Sequence, residues 1–95
     1  DEVTILNDFK DIRVEVKVEN KQGEYFKLSI LAKEKKTQAI IKNLRFTLFK
    51  DDVEFESYLN DSGKVTFENL ALGKYTVEIT DIKDKLASIL LDIKI

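Results

Sequence analysis

The chain has 95 residues, of which 43% are hydrophobic and 36% charged, and its formal net charge is -2. This length fits one domain with one modest core. The balance of 16 Lys and Arg against 18 Asp and Glu argues against a nucleic-acid or anionic-membrane surface. Because His and Cys are absent, disulfides, thiolate metal sites and a Ser-His-Asp triad are excluded, and ordinary catalysis is not expected.

Targeting signals do not decide the compartment. No apolar run approaches the roughly 18 residues of a membrane span, so no membrane insertion is expected, and no signal peptide is visible. A Cys-free domain is compatible with the cytoplasm as well as with an extracellular or periplasmic location. Since the first residue is Asp1 rather than Met, we interpret the chain as one soluble module of a longer protein.

Hydrophobic periodicity in the first third of the chain predicts strands. Residues 1–11 are either a tail or an edge strand, and residues 12–95 are predicted to form one β-sandwich domain. Between residues 12 and 19, apolar and charged residues alternate, which predicts a strand with one solvated face. Gly23 lies in a turn that leads to a second strand, 24–33, and the two strands should form a hairpin.

The remainder of the chain continues this pattern. Residues 34–37 form a charged connection, and residues 38–42 are either the start of a strand or one helical turn. Alternation then predicts five more strands, at 44–48, 53–59, 65–67, 75–79 and 89–95. In the second of these, one face carries Val53, Phe55, Ser57 and Leu59, and the other carries Glu54, Glu56 and Tyr58.

Seven short strands with a turn about every 8–12 residues are typical of an all-β antiparallel Greek-key sandwich, immunoglobulin-like or prealbumin-like. The polar turns around Asp51, Asn60 and Asp81 separate its later strands, and residues 69–73 are a loop with apolar side chains. The following residues are expected to be mostly buried: Leu28, Ile30, Phe46, Leu48, Phe67, Leu70, Tyr75, Val77, Ile79 and Leu91.

A sequence signature in the second half resembles a known family. It consists of a turn Gly63 followed by Val65 and Phe67, then Leu70, and then a segment with Gly73, Tyr75, Val77 and Ile79. This pattern is similar to that of carboxypeptidase-regulatory-like, or prealbumin-like (transthyretin-like), domains and of the related B-type domains of collagen adhesins. The resemblance implies a non-catalytic accessory module of a larger bacterial protein, whose partners are neighbouring domains or another protein.

Some of these adhesin domains contain a cross-link between Lys and Asn or Asp that a buried acid promotes. The resemblance places that acid four residues after Tyr75, where this chain has Ile79. Glu78 is one residue away and so should face the other side of the strand. Lys27 and Asp92 are the pair that could be proposed to react, but without the acid we expect no bond.

Clustered oxygen ligands are the remaining candidates for a metal site. They occur in three groups: Asp51, Asp52 and Glu54; Asn60, Asp61 and Ser62; and Asp81, Asp84 and Asp92. None has the order of an EF-hand loop, and Asp and Asn are favoured at hairpin tips for turn geometry alone. We therefore expect no metal and no cofactor.

Three aromatic residues form the only candidate binding surface. Tyr25, Phe49 and Tyr58 each lie opposite the apolar face of their predicted strand, so they could line an outer sheet face. Two functions follow from this. The first is a spacer or protein-interaction module, and the alternative is a module that binds carbohydrate or another ligand through these aromatics.

The charged face of strand 12–19 also bears on association. Arg13, Glu15, Lys17 and Glu19 alternate along it, and charged side chains discourage the stacking and edge-to-edge pairing of sheets. We therefore expect the isolated fragment to be a monomer.

Overall fold

Two antiparallel sheets are built from eight strands. The computed structural model describes residues 2–23 and 25–94, except for the side chains of Lys21 and Gln22. The strands are β1 Glu2–Asp8, β2 Ile12–Gln22, β3 Tyr25–Glu34, β4 Arg45–Lys50, β5 Val53–Leu59, β6 Val65–Leu70, β7 Gly73–Thr80 and β8 Lys85–Ile93. Asp1, Glu24 and Ile95, each of which ends one of the predicted segments 1–11, 24–33 and 89–95, lie outside the described residues.

The strand order confirms the predicted antiparallel sandwich. Sheet A has the order β1-β2-β3-β6 and sheet B the order β5-β4-β7-β8. After β3 the chain crosses to sheet B, after β5 it crosses back, and after β6 it crosses again to place β7 beside β4, which is a Greek-key path. The strand count is eight rather than seven because residues 2–8 pair with β2 as the edge strand β1.

β2 lies inside sheet A, between β1 and β3, and its residues alternate between the core and the outer face. Ile12, Val14 and Val16 are buried in the core, whereas the charged residues between them point outward and pair with the neighbouring strands. Three salt bridges result: Arg13 with Asp8 at 2.7 Å, Glu15 with Lys33 at 2.7 Å, and Lys17 with Glu2 at 3.4 Å. Because these side chains lie near the surface, where an ion pair gains little over hydration by water, each pair contributes little to stability.

The core consists of the inward side chains of both sheets. All ten residues predicted to be buried are found there, and Phe46, Leu48 and Phe67 are fully enclosed. The connection between β3 and β4 contains no helical turn; residues 35–37 form a turn, and Ile40 makes an isolated bridge to Lys33. The predicted loop 69–73 is shorter than expected, since β6 continues to Leu70 and β7 begins at Gly73.

The predicted phase of β5 is wrong. Tyr58 is opposite the buried Phe46 and its ring lies 5.5 Å from that of Phe67, so it faces the core, whereas Val53 and Phe55 are 68% and 55% exposed. A register shift between Leu48 and Phe49 interrupts the alternation. Because β5 is an edge strand, it lacks a second neighbour to cover its apolar side chains.

Replacing Phe46 by Ala should destabilise the fold by roughly 3–5 kcal/mol, because a fully buried ring is removed from a small core. The matched control is Phe55→Ala, which shortens a half-exposed ring and should cost about 1 kcal/mol or less. Chemical denaturation measures both. Similar denaturation midpoints for the two variants would show that the core does not depend on Phe46.

Candidate functional site

Asn60 is the most extensively bonded polar side chain in the described part of the chain. It is buried, its Oδ1 accepts a hydrogen bond from the Leu44 N–H at 2.6 Å, and its Nδ2 donates to the carbonyls of Ile41 at 2.8 Å and Gly63 at 2.9 Å. The side chain therefore joins the β3–β4 connection to the β5–β6 turn. The sequence predicted a turn here but not this long-range role.

Gly63 lies in the same contact region. Its φ is +101° and a Cβ atom at this position would lie 2.7 Å from Cγ2 of Ile40. Both the conformation and the space therefore favour glycine. The two connections pack closely, and the Gly of the family-like signature serves this packing.

Turn geometry accounts for three residues of the oxygen clusters, Asp51, Asp52 and Asp81. Asp51 and Asp52 have φ values of 52° and 63°, as expected for a two-residue hairpin turn between β4 and β5. Oδ1 of Asp81 accepts hydrogen bonds from the N–H groups of Asp84 and Lys83, which lowers the pKa of this carboxyl. Within residues 2–23 and 25–94, no three acidic side chains are grouped to hold a metal ion.

The three candidate aromatics occupy different surfaces. Tyr25 begins β3 in sheet A and is 56% exposed; Phe49 is half-buried on the outer face of sheet B; and Tyr58 lies on the inner side of the β5 edge. The Tyr58 hydroxyl donates a 2.6 Å hydrogen bond to Glu56, which raises the pKa of Tyr58. The structure therefore does not bring the three rings together on one face.

Lys27 and Asp92 are on opposite sides of the molecule. Lys27 lies between the buried Phe26 and Leu28 and points away from the core of sheet A, and Asp92 points away from the core of sheet B. Packed sheets are about 10 Å apart, so the two side chains diverge across the whole sandwich. Ile79, at the position that the resemblance assigns to an acid, is fully buried.

Tyr75 has a role that the sequence analysis did not identify. Its ring is buried in the core, and its hydroxyl donates a 2.7 Å hydrogen bond to the carbonyl of Ala71. The Lys50 ammonium lies 5.4 Å from the centre of the ring, within the range of a cation–π contact. Tyr75 thus anchors the β6–β7 loop at the end of the sandwich opposite Asn60.

An apolar groove of about 460 Å3 lies between the edge strands β1 and β8. Its walls include Val3 and Ile5 on one side and Leu91 and Ile93 on the other. Periodicity assigned Leu91 and Ile93 to the last predicted strand, whereas Val3 and Ile5 lay in a segment expected to be a tail or an edge strand. The groove itself depends on strand order, which periodicity does not provide. On the opposite side of the sandwich, β5 and β6 contact each other.

Two antiparallel sheets with this connectivity, closed at one end by Asn60 and at the other by Tyr75, define a prealbumin-like β-sandwich module. The chain belongs to the family described as the SpaA prealbumin-like fold domain, whose sequence model matches residues 26–84. Neither the comparison with curated proteins nor that with solved structures gave a match. In the part of the chain that the structure describes, no helix has the length and apolar character to cross a membrane.

Replacing Asn60 by Ala should destabilise the domain by roughly 2–4 kcal/mol, because a buried N–H and two carbonyls lose their partner. Asp61→Ala is the control, since this neighbouring side chain is exposed and its loss should change the stability by about 0.5 kcal/mol at most. Thermal and urea unfolding report the difference. Equal effects of the two substitutions would contradict the role assigned to Asn60.

The intact mass of the protein should equal the mass calculated from its sequence. Lys27 and Asp92 point away from each other, and Ile79 is not an acid that could promote a cross-link. Mass spectrometry of the purified chain tests this expectation. A deficit of one water or one ammonia, mapped by proteolysis to this pair, would contradict it.

Proposed function

We propose that this domain is a non-catalytic accessory module of a larger protein, which acts as a spacer or as a protein-interaction domain. The main support for this proposal is that the buried polar side chain of Asn60 is bound to the protein's own backbone and is not available to a substrate. The buried polar or charged residues of the described chain are Ser29 and Asn60. All three hydrogen bonds of the Asn60 side chain are made to backbone groups of the loops, so this side chain has a structural role.

The titration of surface groups also supports a structural role. Catalytic acids and bases are typically tuned by burial and by charge partners within a cleft. Here the groups with shifted pKa values are on the surface, and local hydrogen bonds explain them. The carboxyl of Asp8 has a lowered pKa and the guanidinium of Arg13 a raised one because they bind each other across β1 and β2.

The choice between spacer and ligand-binding module concerns the aromatics. Tyr25 and Tyr58 lie in different sheets, so a sugar ring stacked on one of them would not reach the other within a single flat platform. This separation favours the spacer or interaction role over carbohydrate binding. The carbohydrate alternative stays a prediction that solution binding can decide.

Ligands that bind the folded state should raise its melting temperature. At a hundred times its dissociation constant, a ligand stabilises the fold by about 2.7 kcal/mol, which corresponds to a shift of roughly 10 °C or more for a domain of this size. We expect no such shift with millimolar calcium against a chelated sample, or with a panel of common oligosaccharides, when thermal unfolding is measured.

Two variants make this test specific. Tyr25→Ser removes an exposed ring, and Tyr58→Ser removes a ring that is 45% exposed and lies beside Phe67. Both variants should stay folded, the second with lower stability. A reproducible glycan-induced shift that either substitution abolishes would favour the ligand-binding module. A calcium-induced shift would instead show that the turn carboxylates hold a metal.

A further inference from the structure

The four edges of the two sheets differ in how they are protected. Free strand edges invite pairing with other chains, and charged residues usually guard them. Three edges carry acidic side chains within the strand: Glu2 and Asp8 on β1, Glu54 and Glu56 on β5, and Glu68 on β6. β8, with nine residues, has no charged side chain between Lys85 and Asp92.

The unguarded edge is also where apolar side chains are incompletely covered. Leu90, on the outer face of β8, is 80% exposed. Val3 faces inward, opposite Val18 of β2, and is nevertheless 57% exposed, because it lines the open groove between β1 and β8. Exposed apolar surface that is continuous with a free strand edge favours a strand as the occupant.

The charges at the two ends of β8 are complementary to each other. Ile79 pairs with Ala87 and Thr80 with Lys85, so Leu86 is an extra residue. This irregularity places Lys85 on the outer face, where it forms a 3.1 Å salt bridge with Glu78. Asp92 lies on the same outer face, opposite Lys74 of β7.

A second copy of β8 therefore fits this edge. If two copies pair in antiparallel fashion around Ile89, Ser88 lies opposite Leu90 of the second copy, and Ala87 opposite its Leu91. The extra residue then brings Lys85 opposite Asp92 of the second copy, and the pair occurs twice by symmetry. Opposite charges directly across a strand pair are stabilising.

Other registers lack this match. A shift by one residue would place inward side chains against outward ones. A shift by two residues separates Lys85 from Asp92 and, in one direction, brings Lys94 next to Lys85 of the second copy. Charge complementarity thus selects the register centred on Ile89.

We propose that β8 pairs edge to edge with β8 of a second copy, which joins the two four-stranded sheets B into one continuous sheet. The twofold axis of an antiparallel strand pair is perpendicular to the sheet, so both copies of sheet A lie on the same side. The two apolar grooves then meet, and Val3 and Ile5 of each copy become covered. β8 begins one residue beyond the segment that matches the family, 26–84.

A dimer through β8 differs from the monomer expected from the charged face of residues 12–19. That face belongs to β2, which lies between β1 and β3 and has no free edge. A single pair of strands makes a small interface, and interfaces of this class are weak. The dimer should therefore form in a concentration-dependent manner.

Sedimentation of the purified chain from about 10 μM to about 1 mM spans the range in which weak contacts form. The average mass should rise from 11.0 kDa towards twice that value, with slower amide exchange along the free edge of β8. A mass that stays at the monomer value over this range would overturn the proposal.

Substitutions locate the contact. Ser88→Lys places a charge in the middle of the edge and should abolish association, whereas Thr4→Lys adds the same charge to the β1 edge as a matched control and should retain it. Asp92→Lys should weaken association through repulsion by Lys85 of the second copy. The double variant with Lys85→Asp and Asp92→Lys should restore it, and thermal unfolding verifies that each variant is folded.

The remaining outcomes contradict the proposal. Association that Ser88→Lys and Thr4→Lys affect equally would place the contact elsewhere. If the chain stays monomeric while a synthetic apolar strand peptide protects the β8 amides, the occupant is a strand of another protein. These results are independent of calcium and glycan binding, so this inference can fail without the proposed function failing.

Discussion

The side chain of Asn60 fastens two of the connections that carry the chain from one sheet to the other. Its three hydrogen bonds reach Ile41, Leu44 and Gly63, and its backbone adds bonds to the same two segments. Without this side chain, the connection between β3 and β4 would keep only backbone hydrogen bonds, among them the bridge at Ile40 and the bonds of Asn43 and Leu44 to the Asn60 backbone. The path of these two connections between the sheets therefore depends in part on one amide group that is shielded from water, where each hydrogen bond is hard to replace.

At both ends of the sandwich, a buried side chain forms hydrogen bonds with backbone groups of a connection. At one end Asn60 satisfies backbone groups of two connections, and at the other the Tyr75 hydroxyl satisfies the carbonyl of Ala71. Between them the core is apolar and closely packed. The polar groups that could contact another chain therefore lie on the outside, at the strand edges and on the outer sheet faces.

Sequence periodicity was sufficient to predict most of the strands and the faces that they bury. It located the strands around Phe46 and Val77 because a strand with two neighbours keeps one strictly apolar face. It failed at β5, where a bulge beside an open edge reverses the phase of Tyr58. It also gave no sign of the bonds made by Asn60, because an Asn in a turn sequence has the same local signature whether its side chain faces solvent or a connection 16 residues away.

The charges of β2 illustrate why strand order must be known before a surface can be interpreted. As a pattern, alternating charges resemble the protection of an exposed edge. In the sandwich, however, Arg13 and Lys17 contact acidic residues of β1, so they hold an added edge strand in register rather than repel one. In β8 the position in the sheet leads to the opposite interpretation: this strand is a free edge, its charges are confined to its two ends, and no charge lies between them. With this pattern, the uncharged middle of β8 allows a partner strand to pair, and the charges at its ends select the register. Cross-strand charges thereby add selectivity to backbone hydrogen bonds that any strand could make.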